Sequence, residues 1–347
     1  NNMELFHERM IKMKKSIKII SILLIFNILF LGAAPKNSSD NKVKNIKVDA
    51  RSAIAVDANS KRVLYDKGSH NIMPMASTTK IITSLVAIKY GNLDEEFEIS
   101  GNASSIRGSK VGYKKGEKIK LRELLYGLMY KSGNDAAIAI AEGVSGSVEE
   151  FVKVMNEYAK EIGLMDSSFE SPHGLDSNKH YSSAYDLAMA TIKAHEEPFF
   201  NEITSTKSVD GNEKGFSRSY QNINKILWQI PGANGVKTGY TGNAGKCLVS
   251  SVNNGTSDII IVVLNCPGRW KETEKIYNYT KEKYEYKTPL INENLPKDIK
   301  EKKLPFMKDS NITYTINVNE EVLEENKLKG TVRAVSYTHL RAHETLS

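Results

Sequence analysis

Two apolar runs, Lys246 to Val252 and Ile259 to Asn265, are separated by Asn253-Asn254-Gly255, and this arrangement constrains the fold more than any other feature of the chain. Asn and Gly accept the left-handed backbone of a tight hairpin turn, so the runs are predicted to be antiparallel neighbours. A strand-like run from Gly235 to Thr238 precedes them. Two more, Ser52 to Asp57 and Arg62 to Asp66, lie near the start, joined by the small polar residues Asp57-Ala58-Asn59-Ser60-Lys61. Between these groups the apolar period becomes helical. Ile81, Ile82, Leu85, Val86 and Ile88 follow a helix opening at Ser77, and Leu121 to Met129, Asp135 to Glu142, Val148 to Ile162 and Ser183 to Ala194 repeat the pattern. Trp270 to Tyr284 reads as a closing amphipathic helix. Strands, a helical block, strands and a last helix predict a mixed α/β fold: an antiparallel sheet flanked by helices, with a helical subdomain.

The 347 residues allow one large domain and a smaller one. From about Lys287 the composition turns charged and β-branched, and Ile312 to Ile316 alternates like a strand, so residues 287–332 are expected to form a small β domain that is cut short. Residues 333–347 continue no periodicity and concentrate His339, Arg341 and His343; they resemble read-through of a synthetic adaptor and are given no catalytic weight. At the other end, Lys12, Lys14, Lys15 and Lys18 precede an apolar run from Ile19 to Leu31 and then Gly32-Ala33-Ala34. That order predicts a secretory signal, too short to span a membrane comfortably, with the mature start near Ala34 or Pro35 and a linker to residue 46. Residues 1–12 read as translation upstream of a start at Met13.

The net charge of +7 is spread among acids, as in Lys300-Glu301-Lys302, which argues against a nucleic-acid partner and suits an anionic wall or membrane surface. Peripheral membrane association is compatible with it. Cys247 and Cys266 form no CxxC pattern and no disulfide framework, and nothing supports a metal. They are expected to be buried thiols, because a one-residue register change turns neighbours to opposite faces.

Three short strings carry chemistry. Ser77-Thr78-Thr79-Lys80 puts a hydroxyl and an amine three positions apart at a helix start, on one face and within hydrogen-bonding range. A serine needs such a base to attack a carbonyl, and a lysine serves only if burial or nearby positive charge lowers its pKa. Ser132-Gly133-Asn134 lies between helices and offers a relay hydroxyl and an amide. Lys237-Thr238-Gly239 supplies a cation and a hydroxyl from a strand, with a glycine that admits a close backbone. Each alone also reads as plain structure: a helix cap, a loop, a strand.

In this order and context, the three strings resemble those of serine D-alanyl-D-alanine carboxypeptidases, the low-molecular-mass penicillin-binding proteins of the peptidase S11 type, whose fold is that of the β-lactamases and transpeptidases. The likeness extends to Pro74-Met75-Ala76, Lys131, Asp135-Ala136, Pro172-His173-Gly174-Leu175-Asp176, Tyr185-Asp186-Leu187-Ala188 and Gly235-Val236, and covers about Ile46 to Tyr286, so residues 47–286 are predicted as the catalytic domain. The resemblance implies Ser77 as acylated nucleophile, Lys80 as its base, Ser132 as proton relay to the leaving group, and Asn134 as partner of a substrate amide. It further implies Lys237 and Thr238 at the substrate's terminal carboxylate, Gly239 as the point of close approach, and backbone N–H groups of Ser77 and Tyr240 as the oxyanion hole. The implied partners are a peptidoglycan stem peptide ending in D-Ala-D-Ala and, as covalent inhibitors, β-lactams; no cofactor is implied. His173, Asp135 and Asp176 are read as structural, and Arg269 as lending charge to the carboxylate pocket. A class A β-lactamase would need a water-activating Glu, and Glu197-Pro198 lies too far past Ser132-Gly133-Asn134 to match it; Gly133 also departs from the Asp usual there. A non-catalytic wall-peptide binder is opposed by the intact Ser77, Lys80, Ser132 and Lys237.

Overall fold

A computed structural model describes residues 46–288, 303–308, 311–318 and 330–337; the predicted signal segment lies outside the described residues. In chain order the main elements are strands β1 (Ser52–Asp57) and β2 (Val63–Lys67), a 3₁₀ turn (Ala76–Thr79) running into helix α1 (Lys80–Tyr90), and helices α2 (Leu121–Tyr130), α3 (Asn134–Ser145), α4 (Val148–Glu161), α5 (Ala184–Ala194) and α6 (Pro198–Ser205). A small hairpin follows, β3 (Ser208–Val209) with β4 (Tyr220–Gln221), then β5 (Ala233–Thr241), β6 (Gly245–Asn253), β7 (Asp258–Leu264) and helix α7 (Arg269–Lys283). Strand β8 (Tyr284–Lys287) pairs with β9 (Leu304–Met307), and β10 (Asn311–Val318) with β11 (Gly330–Tyr337). The last pairing runs past Arg333, where the periodicity of the sequence gives out.

The five long strands form one antiparallel sheet in the order β2-β1-β7-β6-β5, so the N-terminal hairpin closes against the predicted C-terminal one. Both faces are covered, which explains why β7 reads as the unbroken apolar run Ile259 to Leu264 instead of alternating with polar residues. Ile260, Val262 and Leu264 face the helical block, while Ile259, Ile261 and Val263 face a second core that includes Ile276 and Tyr277 of α7. Any one of these cut to Ala would cost about 2–5 kcal/mol. Cys247 belongs to the first core and Cys266 to the second; both thiols are free and buried, as expected. Burial pushes them up to about 11 and about 12.

The boundaries that position the site differ in one informative place. The helix expected to open at Ser77 becomes regular α only at Lys80, because Ala76 holds φ +51 and the chain enters through a 3₁₀ turn. Strand β5 is one of the two edge strands of the sheet, and it lies against that turn. On the far side, buried Glu123 of α2 accepts hydrogen bonds from Tyr220 Oη and from the Ser217 amide and hydroxyl, fastening the β3–β4 hairpin to the helical block.

Candidate active site

The three strings meet. Lys80 sits on the first turn of α1 with its side chain fully buried, and Nζ lies 2.9 Å from Ser77 Oγ, 2.9 Å from Asn134 Oδ1 and 2.7 Å from the carbonyl oxygen of His173. Its pKa is held well below the ordinary lysine range, first by loss of water and second by the charge of Lys237; the Asp135 carboxylate opposes the shift. Lys237, from the middle of β5, donates to Ser132 Oγ and to the Thr238 carbonyl, both at 3.0 Å. Burial, reinforced by the Arg269 guanidinium, lowers its pKa to about 7. Two amines and two hydroxyls therefore converge where the helical block meets the edge of the sheet.

Ser132 is placed there by an unusual backbone: it holds φ +56, a left-handed conformation that costs a side-chain-bearing residue about 1–3 kcal/mol. Gly133 then leads into α3. A Cβ on Gly133 would stand 2.7 Å from Asp135 Oδ1 and 2.7 Å from a Val111 methyl, so an Asp, as in β-lactamases, would require these side chains to move. Asp135 is buried, and its carboxylate accepts the backbone N–H groups of Val111, Gly112, Tyr113 and Ala136. This ties the 107–113 loop to the site, and the Arg107 carbonyl in that loop accepts from Asn134 Nδ2 at 2.6 Å. With Oδ1 on Lys80 and Nδ2 on a carbonyl, the Asn134 amide has a single orientation.

Gly239 marks the closest approach of β5 to the serine turn. A Cβ there would meet the Met75 carbonyl at 3.0 Å, Ala76 Cβ at 3.1 Å and Ser77 N at 3.2 Å. Thr238 is buried beside it, whereas Tyr240 is 68% exposed, at the rim. Arg269 does not point into this junction. Its Nη1 donates to the carbonyls of Gly239 and Cys247, bracing β5 against β6, and its charge reaches the junction only through its effect on Lys237.

The Pro172–Asp176 segment closes the other side through its backbone. The Pro172 carbonyl accepts from Thr83 Oγ1, the His173 carbonyl from Lys80, and Gly174, at φ +87, fits directly over the Ala76 carbonyl. Asp176 accepts from Thr241 Oγ1 and the Asn243 amide, joining this segment to the end of β5. The His173 ring is buried and its pKa is lowered to about 3, by burial first and by Lys80 second, so its neutral form is favoured near pH 7. What the motifs alone do not reveal is the part played by main-chain atoms, above all the His173 carbonyl, together with the anchoring carboxylate of Asp135. Glu197 occupies the position just before α6, without a side-chain cap, and hydrogen-bonds neither Ser77 nor Lys80.

A serine hydroxyl hydrogen-bonded to a buried lysine, at the junction of an antiparallel sheet and a helical block, is set in the penicillin-binding-protein fold. The chain belongs to the D-alanyl-D-alanine carboxypeptidase family, peptidase S11, whose profile matches residues 38–268. It is 37% identical to the carboxypeptidase DacF of Bacillus subtilis over 71% of this chain and 65% of that one. It is 34% identical to DacC of Escherichia coli over 76% of this chain and 68% of the relative. Thus it spans about two thirds of the length of these relatives. Among solved structures, penicillin-binding protein 6B of Escherichia coli superposes with a TM-score of 0.72 at 25% identity, covering 88% of this chain and 98% of that one. A variant of the Streptomyces K15 DD-transpeptidase superposes at 0.64 with 30% identity, over 68% and 98%. Among the described residues no helix is long and apolar enough to cross a membrane.

Proposed function

We propose that this chain is an exported serine D-alanyl-D-alanine carboxypeptidase that removes the terminal D-Ala from peptidoglycan stem peptides through an acyl-Ser77 intermediate, and that β-lactams acylate the same serine. The observation that carries the reading is the 2.9 Å contact between Ser77 Oγ and a buried Lys80 whose ammonium form is disfavoured. Neutral Lys80 takes the Ser77 proton as Oγ attacks the penultimate D-Ala carbonyl. The oxyanion is received by the N–H groups of Ser77 and Tyr240, adjacent because Gly239 packs on the serine turn. Ser132 gives its proton to the departing D-Ala amine and regains one from Lys237, to which it is already hydrogen-bonded. Asn134 steadies the acyl-side amide, and Lys237 with Thr238 holds the terminal carboxylate. Lys80 first returns the proton it took from Ser77 to Lys237; neutral again, it deprotonates the water that attacks the ester carbonyl and passes that proton to Ser77 Oγ as the ester breaks.

Incubation with benzylpenicillin should add one inhibitor mass, mapped to the peptide containing Ser77, and a synthetic peptide ending in D-Ala-D-Ala should release free D-alanine. A chain that neither labels nor releases D-alanine would end this reading; rapid turnover of penicillin without D-alanine release would turn it toward a β-lactamase. Gly239→Ala tests the packing. The added methyl would stand 3.0–3.2 Å from the serine turn, so β5 and the turn must part slightly, and acylation should fall by up to about 10-fold, less than the about 10²-fold of a misplacement of about 1 Å. Penicillin labelling at the wild-type rate would show that this approach does not set the site.

A further inference from the structure

The turn that carries Ser77 is also gripped through a side chain that the reaction does not use. His180 is buried beneath it, with 3% exposure. Its Nδ1 accepts the Glu170 N–H at 3.0 Å, which leaves the ring proton on Nε2. Nε2–H donates to Thr79 Oγ1 at 2.8 Å, and the Thr79 hydroxyl donates in turn to the Ala76 carbonyl at 2.8 Å. That carbonyl belongs to the peptide unit whose other end is the Ser77 N–H. In a planar trans peptide the two point in opposite directions, so fixing one aims the other. The unit needs fixing, because Ala76 sits at φ +51, where a residue with a Cβ does not rest unaided.

We infer that His180 is a positioning residue for the oxyanion hole: acting through Thr79, it holds the Ala76–Ser77 peptide so that the Ser77 N–H faces the charge developing on the attacked carbonyl. This rests on the reading of Ser77 as nucleophile. Burial lowers the His180 pKa to about 4, so the neutral tautomer that the relay requires persists near pH 7. The backbone around His180 is also tied by the bridges of Tyr181 to Ser168 and Ser182 to Met73, neither of which involves the ring.

The test measures penicillin acylation as two quantities, the affinity of the first complex and the rate constant of acylation. His180→Ala should lower the rate constant about 10-fold to 10²-fold, somewhat less than outright loss of an oxyanion donor, and change the affinity less than about threefold. His180→Gln, whose amide offers one donor and one acceptor, should recover most of the rate. Thr79→Val should reproduce the deficit, and the double variant should be no slower than the worse single one. If folded His180→Ala acylates at the wild-type rate, or its loss multiplies with that of Thr79→Val, the inference fails. Should His180→Ala not fold, Thr79→Val carries the test, and a wild-type rate there is equally fatal. Absence of acylation in the wild type would overturn the nucleophile itself, a distinct result.

Discussion

Replacing Lys80 by Ala is expected to slow Ser77 acylation by about 10²–10⁴-fold, the share that a positioned proton acceptor supplies, while leaving the protein folded. The three contacts of Nζ give the reason. As an ammonium, Lys80 commits its hydrogens to Ser77 Oγ, Asn134 Oδ1 and the His173 carbonyl, and has no lone pair with which to receive a proton. As a neutral amine it keeps the bonds to Asn134 and His173 and turns its lone pair to the Ser77 hydroxyl. Burial and the neighbouring Lys237 favour that form. The pH dependence follows in sign: acylation falls as pH drops through the lowered Lys80 pKa, giving an acid limb that the variant should lack. Lys80→Arg should not rescue, because a guanidinium stays charged. Folding adds a check. With its folded pKa below the unfolded value, Lys80 makes stability rise with pH between the two, because the unfolded chain binds the extra proton there. The variant should lose that slope. Labelling kinetics with denaturation monitored by circular dichroism decides the matter; a folded variant acylating at the wild-type rate would mean that the proton goes elsewhere.

The parts of the site legible in the sequence are those whose chemistry resides in side chains at fixed spacing. Ser77 and Lys80 are one helical turn apart wherever the chain is helical, and Lys237 and Thr238 fall in the strand-like run Gly235 to Thr238. The hairpin β6–β7 was equally visible, since Asn253-Asn254-Gly255 has few other uses. Strand order was not: that β1 would lie between β2 and β7 depends on contacts across some two hundred residues, which local periodicity does not encode. Roles filled by main-chain atoms were also hidden. The His173 carbonyl on Lys80 carries no residue-type signature, and the tempting ring beside it is neutral and turned to local structure. The charge of Arg269 bears on Lys237, while its guanidinium donates to two strand carbonyls, a placement that residue type alone does not signal. Asp135 was read as structural, but the loop it organises only appears once Val111, Gly112 and Tyr113 are seen to converge on it.

Lys237→Ala should lower kcat/KM for a peptide ending in a free carboxylate by about 10-fold to 10²-fold more than for its C-terminal amide. Charge-assisted hydrogen bonds are worth about 1.5–3 kcal/mol, and about 1.4 kcal/mol is one decade. The comparison between substrates is needed because Lys237 has a second contact. It donates to Ser132 Oγ, so its loss also deprives the relay of its proton source and lowers kcat on both peptides by a common factor, which cancels in the ratio. In the wild-type protein the same residue predicts an alkaline limb. Lys237 in the free enzyme is lowered to about 7, so above that pH it loses the charge that captures the carboxylate, and kcat/KM should decline. A bound carboxylate favours the charged amine, so the limb in kcat should lie at higher pH than the limb in kcat/KM. Stability moves the opposite way: between about pH 7 and the unfolded value, near 10.4, the unfolded chain holds a proton that the folded one has released, so stability rises with pH by about 1.4 kcal/mol per unit from this residue. Activity on the free carboxylate and stability should therefore diverge above neutrality. Equal losses on acid and amide in the variant, together with identical alkaline limbs for both peptides in the wild type, would remove Lys237 from carboxylate binding.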